Sequence, residues 1–229
     1  MVNTYNGVSE ASVTKQKLLR RILKIHTAHR SNKSTYSFID MNAGVGHHKQ
    51  FNIYGSPLIF LDVAASINLD HSAYFFEKEE SYFDQLTRNT RMLQRQHPDV
   101  KLNYKVILGD HGHNRDVLSH VKGPGLIYCD PYGCGVPAEI VAGMLDHDVL
   151  LTFSERGYKR AQLDLDAVKR ICDKRHWIVS GSWGTAKWRF LYGTNLYDSH
   201  AAALANDGFS TYVPAECSRQ RSLRSVFAA

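Results

Sequence analysis

Long apolar runs are absent from this chain of 229 residues, which carries 28 Lys and Arg against 22 Asp and Glu. No segment approaches the roughly 20 apolar residues that a membrane-spanning helix needs, so we predict no membrane partner. Residues 1–17 lack the apolar centre of a secretory signal. Cysteine is also scarce, and the four cysteines form no Cys-x-x-Cys pair. Few, unpaired cysteines predict free thiols in a reducing compartment, the cytoplasm or, in a eukaryote, the nucleus.

Acidic residues are nearly missing from the first 50 positions. Only Glu10 and Asp40 stand there against eight Lys and Arg, while the whole chain has a formal net charge of +6. Residues 14–29 carry apolar side chains at helical spacing with a basic outer face. We therefore predict a basic helical extension over residues 1–35. Its charge fits either an ordinary surface helix or a contact with DNA or RNA.

The remaining sequence alternates short apolar runs with helical stretches and contains no internal repeat. Strands are predicted at residues 36–41, 73–77, 104–108, 126–129, 149–153, 177–180 and 188–192. Helices are predicted at residues 79–96, 137–145 and 163–174. This alternation predicts an α/β, Rossmann-like fold, a mostly parallel sheet with helices on both faces. We assign it to one domain, residues 36–213, followed by a basic tail, residues 214–229.

An acidic residue closes or follows each of the first four predicted strands. These residues are Asp40, Glu77, Asp110 and Asp130. Each acid alone is weak evidence for a ligand site, since an Asp at the end of a strand often only caps the next helix. Ligands of doubly wound sheets bind beyond the carboxyl ends of the strands, however, and an ordered set of four acids at those ends predicts a ligand site.

Gly44 and Gly46 follow the first strand and allow the backbone to turn tightly and approach a ligand. A dinucleotide site requires a third glycine in the pattern Gly-x-Gly-x-x-Gly, whereas this chain reads Gly-Val-Gly-His-His-Lys. A nucleotide-dependent oxidoreductase is therefore the disfavoured alternative. The remaining class with this layout binds S-adenosylmethionine, which has no phosphate.

These motifs resemble those of class I S-adenosylmethionine-dependent methyltransferases, over residues 36–192. The resemblance implies that Asp40 organises the cofactor loop, that Glu77 binds the ribose and that Asp110 binds the adenine edge. The implied cofactor-binding set is Asp40, Asn42, Gly44, Gly46, Glu77 and Asp110. Asn42 stands where the family usually has glycine. The separation of the first two acids is also longer than usual, which predicts an insertion at residues 47–72.

The fourth motif, Asp130-Pro131-Tyr132-Gly133, is similar to the Asp-Pro-Pro-Tyr motif of methyltransferases that act on adenine N6 or cytosine N4. Without the second proline, it looks closer to tRNA guanine N2-dimethyltransferases and to three-Cys-motif partner proteins. An exocyclic amine is a poor nucleophile. The resemblance therefore implies that Asp130 and the Pro131 carbonyl accept its N–H protons, while Tyr132 stacks on a base that is flipped out of any duplex.

These residues predict methyl transfer to an exocyclic amino nitrogen of a base in DNA or RNA, with adenine N6 favoured. Two alternatives stay open. The imperfect glycine loop and the missing second proline also fit a non-catalytic module that binds S-adenosylmethionine or another nucleotide. A methyltransferase for small molecules would make the positive charge incidental.

Histidine and cysteine near the predicted site raise two further alternatives. The spacing of His47, His48, His111 and His113 is weak for zinc, so we predict no metal and expect the histidines to line the cofactor rim or contact phosphate. Cys129 and Cys134 flank the fourth motif. Methyltransferases that act on cytosine C5 use a nucleophilic thiol, usually within a Pro-Cys dipeptide. Neither cysteine here follows a proline, so we expect Cys129 to be a core residue instead.

Overall fold

A computed structural model describes most of the chain. The described residues are 10–30, 35–109, 115–121, 123–130, 146–154, 174, 176–185, 187–195, 203–204 and 209–211. The helices are α1 (Glu10–Arg30), α2 (Ser56–Ser66), α3 (Glu80–Gln96) and α4 (Arg115–Ser119), with a 3-10 turn at Lys49–Phe51. The strands are β1 (Tyr36–Asp40), β2 (His47–His48), β3 (Ile53–Tyr54), β4 (His71–Glu77), β5 (Tyr104–Leu108), β6 (Gly125–Cys129), β7 (His147–Ser154), β8 (His176–Val179), β9 (Trp188–Thr194) and β10 (Ser210–Thr211).

Eight of these strands form one sheet in the order β10-β8-β9-β7-β6-β1-β4-β5. The five strands from β7 to β5 are mutually parallel, and β9 runs antiparallel to both of its neighbours. Every residue of β1 is buried, as expected for a central strand that is covered on both faces. The predicted α/β, Rossmann-like class with a mostly parallel sheet is confirmed.

The seven strands predicted from the sequence all form, with ends within two residues of the predicted ones. The predicted helix at residues 79–96 forms as α3. The predicted helices at 137–145 and 163–174, apart from Lys174, and the tail at 214–229 lie outside the described residues. Within the described part of the chain, no helix combines the length and the apolar character needed to cross a bilayer.

The helix α1 packs against the sheet through the side chains of Leu19, Ile22 and Leu23, which are fully buried. Its carboxyl-terminal half is also fixed by polar contacts. The His26 Nε2 lies 2.7 Å from Asp148 Oδ2 at the start of β7, and its Nδ1 lies 2.6 Å from the Tyr36 hydroxyl at the start of β1. The helix α1 is therefore one layer of the α/β core.

Residues 47–72, predicted as an insertion, contain the β2–β3 hairpin, α2 and the start of β4. Parallel strands need a long crossover, and α2 supplies the one between β1 and β4. Almost every side chain of α2 is buried. Its half-buried Asp62 forms an ion pair with Arg20 of α1 and lies 3.7 Å from His97, directly after α3. Asp62 thus links the three helices on this face.

Candidate active site

The loop after β1 turns through two glycines with positive φ, Gly44 at 62° and Gly46 at 76°. This left-handed region strongly favours glycine. A Cβ on Gly46 would lie 2.7 Å from side-chain atoms of Leu58 and Leu86, so packing of α2 and α3 also requires glycine there. A Cβ on Gly44 would meet no atom of the described residues within 4 Å. The described residues therefore leave space beside the backbone at Gly44.

Glu77, the last residue of β4, holds this loop in place. Its Oε2 accepts a hydrogen bond of 2.7 Å from the Gly44 amide, and its Oε1 accepts one of 2.9 Å from the Glu79 amide. The side chain is almost completely buried. Because each carboxylate oxygen has two lone pairs, both oxygens keep a position for a further donor such as a ribose hydroxyl.

Asp40, the last residue of β1, is completely buried under the same loop. Its Oδ1 accepts a hydrogen bond of 3.1 Å from the Asn42 amide. Burial raises the pKa of this carboxyl from 3.8 to about 7, against the opposing effects of the Ser56 hydroxyl and the Asn42 amide. Its Oδ2 has no hydrogen-bond partner among the described residues. Within the described part of the chain, this carboxyl therefore has an unpaired oxygen at the carboxyl end of β1.

Asp130 follows β6, the neighbour of β1 on the side opposite β4. Its Oδ2 forms an ion pair with the Lys15 ammonium group of α1. The two side chains are 22% and 18% exposed, so the pair is partly shielded from water. The negative charges of Asp130 and Glu77 both act on Asp40, which places the three carboxyl groups around one site. Lys15 supplies a cation to this group of acids.

His48, in the β2–β3 hairpin, borders the same site. Burial, together with the positive charge of Lys15, lowers the pKa of its imidazole to about 4, while Asp130 opposes the shift. The ring is therefore neutral at physiological pH, and its Nδ1 is buried with no hydrogen-bond partner among the described residues. In that part of the chain, no three His, Cys, Asp or Glu side chains are placed to hold a metal ion.

Cys129 ends β6 and is fully buried in the core. Its thiol donates a hydrogen bond of 3.4 Å to Asn42 Oδ1, which links the fourth motif to the cofactor loop. Burial raises the pKa of this thiol far above its usual range, and the charges of Asp130 and Asp40 raise it further. A neutral, buried thiol is a poor nucleophile, so Cys129 fits the core role.

Sequence reasoning named five site residues that the structure brings to one edge of the sheet. They are Asp40, Gly44, Gly46, Glu77 and Asp130. Asn42, also predicted, donates its amide N–H to Asp40 and accepts a hydrogen bond from the thiol of Cys129, the residue before Asp130. Asp110, Pro131 and Tyr132 lie outside the described residues. Sequence reasoning missed Lys15 as a site residue. It stands four positions before Leu19, on the buried face of α1, and a lysine on an apolar face was the available signal.

No protein-family model matches the chain, and no curated protein matches it either. Among solved structures, protein LPL1258 from Legionella pneumophila aligns over 86% of this chain and 95% of its own, with a TM-score of 0.53 and 13% identity. The METTL16 methyltransferase domain aligns over 81% of this chain and 68% of its own, with a TM-score of 0.49 and 13% identity. The human methyltransferase 10 domain containing protein aligns over 78% and 83%, with a TM-score of 0.47 and 13% identity. At such identity, similarity concerns the fold alone.

Proposed function

We propose that this chain is an S-adenosylmethionine-dependent methyltransferase that modifies an exocyclic amino nitrogen of a nucleic-acid base, with adenine N6 favoured. The proposal rests on one observation. Asp40, Glu77 and Asp130 end or follow three adjacent strands beside a glycine loop, and among the described residues no atom fills the space next to Gly44. This arrangement supplies acceptors for a ribose on one side and for an amine on the other.

The residues present fit S-adenosylmethionine on two observations. Among the described residues, no atom lies within 4 Å of a Cβ built on Gly44, and the buried Asp40 Oδ2 has no hydrogen-bond partner. In this proposal Glu77 accepts hydrogen bonds from the ribose, while Asp40 and Asn42 shape the loop and Asp110 binds the adenine edge. When bound, the cofactor supplies an electrophilic methyl group on a sulfonium.

The target amine needs help because conjugation with the ring withdraws its lone pair. In the proposed mechanism, Asp130 Oδ1 and the Pro131 carbonyl accept its two N–H groups, so that the lone pair turns towards the methyl group. Tyr132 holds the base by stacking. Lys15 occupies Asp130 Oδ2 and thereby fixes the direction of the other oxygen. Catalysis then consists mainly of holding two reactants about 3 Å apart in a site that excludes water.

Calorimetric titration of the purified chain with S-adenosylmethionine, S-adenosylhomocysteine and NAD tests the cofactor assignment. We expect binding of the first two ligands and none of NAD. Binding of NAD without any response to the other two would overturn the proposal. Binding of the sulfonium compound without transfer in the next assay would favour the non-catalytic alternative.

Transfer of a labelled methyl group to mixed DNA and RNA tests the reaction. The variant Asp130→Asn should lose at least about 100-fold in rate, a typical loss when a positioned acid-base group is removed. Asp99→Asn changes an exposed carboxylate in the turn after α3 in the same way and serves as the matched control. Full transfer by Asp130→Asn would contradict the role of Asp130. Label that appears only on small molecules would contradict the nucleic-acid substrate.

A further inference from the structure

The solvent side of α1 carries a row of basic side chains. Lys17, Arg21 and Lys24 are all exposed and are spaced four and three residues apart, so they follow one face of the helix. At about 1.5 Å per residue, Lys24 lies about 10 Å along the axis from Lys17. Glu10 is the only acidic residue of α1. Within the described part of the chain, neither Lys17 nor Lys24 has an ion-pair partner.

This basic row leads away from the proposed catalytic centre. Lys15 binds Asp130 at the carboxyl ends of the strands, while His26 binds Asp148 and Tyr36 at their amino ends. The helix α1 is therefore antiparallel to the sheet, and its amino-terminal half reaches the site. At 3.6 residues per turn, Lys17, Arg21 and Lys24 lie about 120–180° around the helix axis from Lys15. A chain that places one nucleotide at Asp130 therefore reaches this row by passing over the amino-terminal end of α1.

The helix α3 provides an internal comparison. It also carries exposed basic residues, Arg88, Arg91 and Arg95. Its first turns, however, lie next to the site and are acidic, because Glu79, Glu80 and Asp84 are exposed there. A polyanion at the site would meet negative charge at the start of α3 and positive charge along the exposed face of α1. The charge pattern thus distinguishes two helices that flank the same buried α2.

We infer that the exposed face of α1 binds the phosphate backbone of the nucleic-acid substrate through Lys17 and Lys24. The choice of nucleic acid among polyanions rests on the proposed function. Phosphate contacts of this kind position the substrate without reading its sequence. Arg20 has a different task, because its guanidinium is paired with Asp62 and ties α1 to α2.

Fluorescence anisotropy with a labelled 20-nucleotide single-stranded RNA, and with DNA of the same sequence, tests this surface. The double variant Lys17→Glu/Lys24→Glu is compared with Arg88→Glu/Arg95→Glu. Both pairs are exposed, both are seven residues apart on a helix, and both variants lower the net charge by four. Affinity is measured between 50 and 300 mM KCl, so that the salt dependence counts the phosphate contacts.

We expect the α1 variant to bind both probes about tenfold more weakly at 100 mM KCl, with a salt slope smaller by about 1.4, the value for two single-strand phosphate contacts. The α3 variant should stay within about twofold of the wild type. Equal losses in both variants, or an unchanged α1 variant, would overturn the inference, as would wild-type binding that does not depend on salt.

Titration with S-adenosylhomocysteine separates this inference from the proposed function. Both variants should bind it like the wild type, because neither row contacts the glycine loop. If the wild type binds the oligonucleotides through α1 but does not bind S-adenosylhomocysteine, the α1 surface stands and the methyltransferase proposal fails. If S-adenosylhomocysteine binds and the oligonucleotides do not, the inference about α1 is the one that fails.

Discussion

Lys15 and Asp130 form an ion pair although 115 positions separate them in the chain. The pair joins the first helix to the residue directly after β6, where the proposed acceptor for the target amine lies. Leu19 and Ile22 pack into the core from the same face of the helix. The ion pair and these apolar contacts therefore act together to position α1. The charge of the first helix is therefore divided between the site itself, through Lys15, and the exposed face.

A double-mutant cycle with Lys15→Met and Asp130→Asn measures this pair. Exposed ion pairs contribute at most about 1 kcal/mol, whereas removing one partner of a buried pair costs about 3–5 kcal/mol. The intermediate exposure of both side chains predicts a coupling energy of about 1–2 kcal/mol from urea unfolding. Lys15→Arg keeps the charge and should retain most of the stability. A coupling energy of zero would show that the two groups do not interact in solution.

The strands were predictable because the sequence alternates apolar runs and turn residues at each end. Tyr104–Leu108 has the same bounds in the prediction and in the structure. The acids Asp40, Glu77 and Asp130 followed from this reading, since parallel strands bring their carboxyl ends to one edge. The strand β10 was not predicted, because its two residues are too short for any period to show.

Contacts between distant elements could not be predicted in the same way. Glu77 was expected to bind a ribose, yet the structure also gives it the Gly44 amide, a bond that depends on how the loop folds back on β4. Lys15 carried a hint in its position before Leu19, but only the packing of α1 shows that it meets Asp130. The spacing of residues along a helix shows which face of the helix a side chain occupies. It does not show which distant residue that side chain contacts.

Asp40→Asn should remove a pH dependence of stability. Because burial raises the pKa of Asp40 to about 7, its carboxyl stays protonated in the folded protein while the unfolded chain ionises near 3.8. This group stabilises the fold fully below about pH 3.8, and its contribution is lost as the pH rises to 7. The loss is about 1.4 kcal/mol per pH unit, or about 4 kcal/mol over that interval.

Urea unfolding at pH 4.5, 5.5, 6.5 and 7.5 compares Asp40→Asn with the wild type. The variant should gain stability relative to the wild type as the pH rises, because it lacks the carboxyl that ionises more readily in the unfolded chain. Its amide oxygen can still accept the hydrogen bond from the Asn42 amide. Asp84→Asn, on the exposed surface of α3, should follow the wild-type curve. A constant difference between Asp40→Asn and the wild type across these pH values would refute the assignment.

Alanine at the two loop glycines should have separate effects. Gly46→Ala combines a left-handed φ with Cβ contacts of 2.7 Å to Leu58 and Leu86, which together predict a loss of about 2–4 kcal/mol in unfolding free energy. Gly44→Ala meets only the backbone strain, about 1–2 kcal/mol. Its methyl group enters the proposed cofactor space, so binding of S-adenosylhomocysteine should weaken at least about tenfold. Calorimetry on the folded Gly44→Ala variant would contradict this if the affinity were unchanged.

His26→Ala should destabilise the protein strongly, whereas His29→Ala, one turn later on α1, should not. His26 is fully buried and bridges Asp148 Oδ2 and the Tyr36 hydroxyl at 2.7 and 2.6 Å. Its removal leaves a buried carboxylate without that partner and a cavity between α1 and the sheet, which predicts a loss of about 3 kcal/mol in unfolding free energy. His29 is exposed, and its Nδ1 lies 3.0 Å from the Ile25 carbonyl of the same helix, so its replacement should change stability by less than about 0.5 kcal/mol. Urea unfolding of both variants measures the difference. Similar small losses in the two variants would mean that α1 is held to the sheet by its apolar face alone.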